Sequence, residues 1–114
     1  RDQQAGQRAR EWLRATQVPQ DVVRTAYYLG MHNRDPALAV EALELRIKKW
    51  PEQSADGWLK LGHIYSSPQA YDEVKALQSY KSAMAAAEPK QVNFIRSKIP
   101  PRYLSKLHPN AVKD

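Results

Sequence analysis

Trp58-Leu59-Lys60-Leu61-Gly62-His63-Ile64-Tyr65 is the stretch on which the fold turns. Trp58, Leu61, Gly62 and Tyr65 recur at helical spacing, which predicts one apolar face of a helix. A glycine inside a helix costs about 1 kcal/mol relative to alanine, so its presence calls for a compensating contact. The missing side chain lets a second helix approach at Gly62, with Trp58, Leu61 and Tyr65 filling the space beside the crossing. Downstream, Ala76-x3-Tyr80-x2-Ala83 supplies the mating surface, small, large and small on one face, and Pro89 ends the unit.

Working outward, the rest of the chain also reads as helix. A first helix over about 2–16 carries the stripe Ala5, Ala9, Trp12, Leu13 and Thr16. Pro19 breaks it, and a second helix over about 20–33 turns Val22, Val23, Ala26, Tyr27 and Gly30 inward. Asp35-Pro36 reads as an N-cap followed by proline at the first helical position, where its missing N–H costs nothing. The third helix, about 36–50, buries Ala39, Leu43, Ile47 and Trp50 before Pro51. Ser54 is expected to cap the fourth, which ends at Ser66-Ser67-Pro68. A fifth over about 70–88 buries Val74, Leu77, Tyr80, Ala83, Met84 and Ala87. A sixth over about 91–98 uses Val92, Phe94 and Ile95, and a last short turn holds Tyr103, Leu104 and Leu107. No alternating run of useful length suggests a strand. Short connections make consecutive helices antiparallel neighbours.

The chain has 114 residues, which fits a single domain with a core of its own. With no cysteine, a disulfide scaffold, a thiol nucleophile and a thiolate zinc site are excluded. No stretch approaches the roughly 20 apolar residues of a membrane span. No targeting segment is legible ahead of the first helix, and the compartment is left open between cytoplasm and bacterial periplasm. Charge is uneven: +2 over residues 1–18, −1 over 19–88 and +5 over 89–114. The basic residues of the last segment stand singly, as on a solvated face, rather than in the dense runs of nucleic-acid binders.

The segment Trp58-x2-Leu61-Gly62-x2-Tyr65, then Ala76-x3-Tyr80-x2-Ala83 and Pro89, resembles the tetratricopeptide repeat. Pro51 stands seven positions before Trp58, within one of that family's spacing, and Ala39 and Leu43 match the small and large residues of a preceding second helix. Tyr65 to Ala76 is two residues longer than the family's interval, a lengthening similar to that of the related Sel1-like repeats. Leu29-Gly30 resembles the Leu-Gly pair, but its distance to Ala39 does not allow a gapless match. A narrower likeness joins 55–65 to the repeat opening in tetratricopeptide proteins of bacterial c-type cytochrome maturation. The resemblance implies an all-α fold of antiparallel hairpins stacked as a short right-handed α-solenoid. Its parts are an N-terminal capping helix (1–18), a degenerate repeat (19–54), a well-matched repeat (55–89) and a basic C-terminal capping helix and tail (90–114).

Catalytic chemistry finds little support. His32, His63 and His108 lack partners at metal-ligand spacing. Asp72 and Glu73 are adjacent, about 100° apart on a helix, and suit a helix N-terminus better than acid–base work. The four glycines form no phosphate-cradling loop. Neither enzyme activity nor a cofactor or metal is expected.

The resemblance implies instead a protein-interaction module holding a peptide or partner segment in a concave helical groove, as an adaptor or scaffold part of a larger assembly. The expected contact residues are Arg24, Tyr28, Met31, Asp56, Leu59, His63, Ser66, Asn93 and Arg96, with Ser67 beside them. Tyr27 and Tyr28 are adjacent, so one of them should stay exposed. A carboxylate clamp is not expected, since Lys60 and Arg24 lack the family's asparagine partners. Two alternatives are an assembly chaperone of the bacterial envelope and a basic C-terminal region that binds nucleic acid or anionic lipid.

Overall fold

A computed structural model describes residues 2–15 and 17–107, so Thr16 and His108 lie outside the described residues. The helices are α1 Asp2–Leu13, α2 Gln20–His32, α3 Pro36–Lys49, α4 Ser54–Tyr65, α5 Glu73–Ala86, α6 Val92–Lys98 and α7 Pro101–Leu107. No strand occurs among the described residues, and the fold is all-α.

The prolines act at helix starts more than at helix ends. Pro51, Pro68 and Pro89 each open a three-residue 3-10 turn, while Pro36 and Pro101 open α3 and α7. Proline lacks the N–H that a first turn leaves unpaired, and it disfavours helix at the residue before it. Helices α3 and α5 therefore stop at Lys49 and Ala86, ahead of Pro51 and Pro89. Helix α5 also starts later than expected because Asp72 caps it, accepting the Lys75 N–H at 3.0 Å. Ser54 is not the cap of α4; Gln53 holds that position and Ser54 is the first helical residue.

The chain divides into two compact units, Arg1–Pro51 and Glu52–Asp114. In the first, α1 packs on both α2 and α3. Its core joins Ala9, Leu13, Val18, Val23, Ala26, Leu38 and Ala42, with Trp50 partly buried against them. The α2–α3 turn is tight: the Asp35 N–H donates to the Gly30 carbonyl at 2.7 Å, and Arg34 adopts a left-handed φ of 55°. Asp35 caps α3 through the Leu38 N–H at 3.3 Å and takes the Arg10 guanidinium on both oxygens at 2.9 Å, tying α1 to the turn. Trp12, expected in the core, is 42% exposed: Ala9 and Leu13 face inward, and Trp12 sits one residue off that line.

In the second unit α4 and α5 form the hairpin, α6 packs on both, and α7 packs on α5. Ala55, Leu59, Ala76, Tyr80, Ala83, Ile95, Ile99 and Tyr103 form the core, with Trp58 and Tyr65 partly buried against it. Tyr80 and Tyr103 are fully buried with ring centroids 5.2 Å apart. Each contributes on the order of 1.5–3 kcal/mol of apolar burial. Val74 and Phe94, expected inside, are exposed.

The two hairpins follow one pattern. Gly30 and Gly62 are buried where the second helix comes closest: a Cβ on Gly30 would meet the Ala39 N at 2.7 Å, and one on Gly62 the Tyr80 ring at 2.4 Å. An aspartate caps each second helix, Asp35 and Asp72. Four, seven and eight residues past the cap come buried Ala39, Ala42 and Leu43 in one hairpin, and buried Ala76, Ser79 and Tyr80 in the other. The interval from glycine to cap differs, five residues against ten, and the 3-10 turn Pro68–Ala70 lies within the longer loop.

Candidate functional site

Arg24, Tyr28 and Met31 stand at i, i+4 and i+7 on α2, so they share one face. All three are exposed, Tyr28 at 59% and Met31 at 47%. Val23, Ala26 and Gly30 take the buried face, which leaves this stripe outward. Of the adjacent tyrosines it is Tyr28 that is exposed, while Tyr27 is half-buried and meets it edge-on at 5.1 Å. Arg24 pairs with Asp21.

The equivalent positions on α4, counted from Gly62 as Arg24, Tyr28 and Met31 are from Gly30, are Asp56, Lys60 and His63. This stripe is polar. Lys60 donates to both Asp56 oxygens at 2.9 and 3.0 Å. Leu59 does not belong to it: at 4% exposure it sits one turn from Ala55 in the core, and no partner reaches it. His63 is exposed, yet its Nε2–H donates to the Lys98 carbonyl at 3.0 Å and its ring meets Tyr80 edge-on at 5.7 Å. It therefore ties the end of α4 to the end of α6.

Ser66 caps the C-terminus of α4; its hydroxyl donates to the His63 carbonyl at 3.0 Å and lies 3.3 Å from the Tyr80 hydroxyl. Ser67 likewise donates to the Ile64 carbonyl. Both hydroxyls serve the local turn. Burial raises the Tyr80 phenol above its ordinary pKa, against the opposing Ser66 hydrogen bond. On α6, Asn93 and Arg96 are exposed, and Arg96 donates to the Asn93 side chain at 3.3 Å.

The structure thus leaves Arg24, Tyr28 and Met31 on one face, and gives Asp56, His63, Ser66, Asn93 and Arg96 local partners. Sequence reasoning missed the exposure of Trp12, Tyr71, Val74 and Phe94. For Trp12, Val74 and Phe94 the signal was phase: each lies one or two residues off a buried residue of its own helix, whereas Tyr71 follows a turn with no buried residue. It also missed the Lys98 carbonyl as the acceptor of His63, since a backbone group has no sequence mark.

A depression of about 240 Å³ between α1 and α3 is lined by Leu13, Glu41, Glu44, Leu45 and Lys48, none of them an expected site residue. Arg14 already engages Glu41 there at 3.2 Å. Among the described residues no cluster of three His, Asp or Glu side chains is arranged to hold a metal ion. No helix among them is long and apolar enough to cross a membrane. Comparison with protein-family models, with curated proteins and with solved structures finds no match for this chain.

Proposed function

We propose that this chain is a non-enzymatic protein-interaction module, a short tetratricopeptide-like α-solenoid serving as an adaptor or scaffold part of a larger protein or assembly. The observation that carries the reading is the exposed stripe of Tyr28 and Met31 on the first helix of a hairpin. A large aromatic and a flexible thioether left outward at helical spacing suit the apolar side chains of a partner segment. The common pattern of the two hairpins supports the repeat character, and repeats of this kind present binding surfaces rather than catalytic pockets.

The test is affinity capture with the whole chain against a variant carrying Tyr28→Ala and Met31→Ala, read by mass spectrometry. Proteins enriched by the parent and lost from the variant support the reading, provided helicity and melting temperature are unchanged. An identical set of captured proteins overturns it.

A further inference from the structure

We infer that the segment received by Tyr28 and Met31 is acidic, with side-chain carboxylates that meet Arg34 at one end of this apolar pair and Arg24 at the other. The inference deepens the interaction-module reading, on which it rests for the partner being a polypeptide. From Val22 to Arg34 the chain carries no acidic residue, and its exposed side chains are Arg24, Thr25, Tyr28, Met31, His32 and Arg34. At about 100° per residue the first five fall within roughly 120° of the α2 circumference, opposite the buried Val23, Ala26 and Gly30. Arg34 stands just past the helix, and its N–H donates to the Met31 carbonyl at 3.4 Å, which sets its backbone beside Met31.

The carboxylates that bound this stretch are already engaged. Asp35 takes Arg10 on both oxygens, and Asp21 takes Arg24. The second is an exposed pair on one helix, a weak kind, and it uses one Nη of a guanidinium that has five N–H donors. Arg34 makes no ion pair. Exposed cations occur elsewhere, but they do not bracket an apolar pair. Trp12 adjoins the exposed Glu11, Tyr71 and Val74 flank Asp72 and Glu73, and Phe94 stands singly beside Lys98. A purely apolar segment would leave Arg34 facing a neutral surface, and a basic one would meet like charge. Carboxylates set beside apolar side chains answer both, since guanidinium groups take them in paired hydrogen bonds.

Two other anionic partners fit less well. A helix lying on a bilayer sinks a broad apolar face, whereas this one offers two apolar side chains among Arg24, Thr25 and His32. Single-stranded nucleic acid stacks on successive aromatic platforms, and Tyr28 is the one exposed ring of α2 besides His32.

The experiment is fluorescence anisotropy of a labelled, end-blocked peptide of alternating glutamate and leucine with the whole chain at low salt. Comparators are the same peptide with lysine for glutamate, the same with serine for leucine, oligothymidylate, and phosphatidylserine vesicles. The glutamate–leucine peptide is expected to bind more tightly than all of them, with affinity falling as salt rises. Arg24→Gln with Arg34→Gln should weaken it about tenfold or more. Arg34→Gly alone should weaken it about threefold or more with the melting temperature unchanged, because Arg34 sits at a φ of 55°, where glycine carries no steric penalty. Lys48→Gln with Lys49→Gln removes the same charge from exposed sites on α3 and should leave binding within about twofold. No binding of the glutamate–leucine peptide, equal losses in the two double variants, or a comparator that binds as tightly overturns the inference. Capture of partners that is lost with Tyr28→Ala and Met31→Ala but kept with Arg24→Gln and Arg34→Gln overturns this inference alone, leaving the module reading intact.

Discussion

The backbone of Gly62 lies so close to the ring of Tyr80 that a Cβ at Gly62 would meet Tyr80 Cε1 at 2.4 Å. Tyr80 is fully buried, hemmed by Tyr103 on one side and His63 on another, so its ring has no free direction in which to move. The α4–α5 crossing of the second unit depends on this contact.

Gly62→Ala should therefore destabilise the chain by about 1–3 kcal/mol, the usual cost of overpacking, even though alanine is the better helix former. The urea midpoint followed by circular dichroism reads this directly. Pairing it with Tyr80→Leu, which removes the ring edge, should recover part of the loss. A Gly62→Ala chain as stable as the parent would mean that the helices do not cross where described. Gly30→Ala should cost at least as much, because the atoms it meets are backbone of Ala39 and Asp35, which a side-chain rotation cannot clear.

The caps of the two second helices offer a graded comparison. Asp72→Ala removes one side-chain cap and should cost about 1 kcal/mol. Asp35→Ala removes the cap of α3 and also strands the half-buried guanidinium of Arg10, so the loss should be larger, about 1–3 kcal/mol. A double-mutant cycle with Arg10→Met separates the two contributions. Zero coupling between Arg10 and Asp35 would show that the pair does not fasten α1 to the turn.

Much of this architecture was legible because glycine, proline and capping aspartate act locally. Asp35-Pro36 announced the start of α3, and Gly62 announced a close crossing, each from one residue's backbone chemistry. The misplacements have a different origin, since periodicity fixes that a helix has an apolar face but not its phase. Val74 is two residues, about 200° of helix, from Ala76, so counting it into the stripe put it on the wrong side of α5. The motif alone points Leu59 at a partner, because it spends Trp58, Leu61 and Tyr65 on packing. In the fold Ala55, Leu59 and Gly62 form a buried face of their own, and Lys60 takes the outward position. Helical position alone puts His63 in the groove, and only three dimensions bring it to the carbonyl of Lys98.

The acid limb of stability should carry a mark of the exposed trio Tyr71, Glu73 and Lys106. Hydrogen bonds from Lys106 first and Tyr71 second hold the Glu73 carboxyl below the ordinary carboxylate range. A carboxyl whose pKa is lower folded than unfolded binds more protons in the unfolded chain. Its stabilisation is thus present above the unfolded value, about 4.3, and fades as pH falls through the folded one. Lys106→Met should move the Glu73 titration upward, measured by carbon-detected NMR of its carboxyl. An unmoved titration would mean that α7 is not held to the start of α5 by this pair.

The alkaline limb should report on Tyr80. Burial lifts its phenol above the ordinary value, so the folded unit resists forming the phenolate. For a group raised on folding, the stability it carries is complete below the unfolded value, about 10, and is lost as pH rises through the folded one. Ultraviolet titration of tyrosinate should show a late component, the Tyr80 phenol, above the ordinary tyrosine range. The Tyr80 signal should appear together with loss of helical ellipticity, because the charged ring cannot remain between Gly62 and Tyr103. Tyr80→Phe keeps the ring and removes the proton, so it should delete that late step and extend the folded range to higher pH. If the late step survives in Tyr80→Phe, another group governs alkaline unfolding and Tyr80 is not the buried wedge of the hairpin.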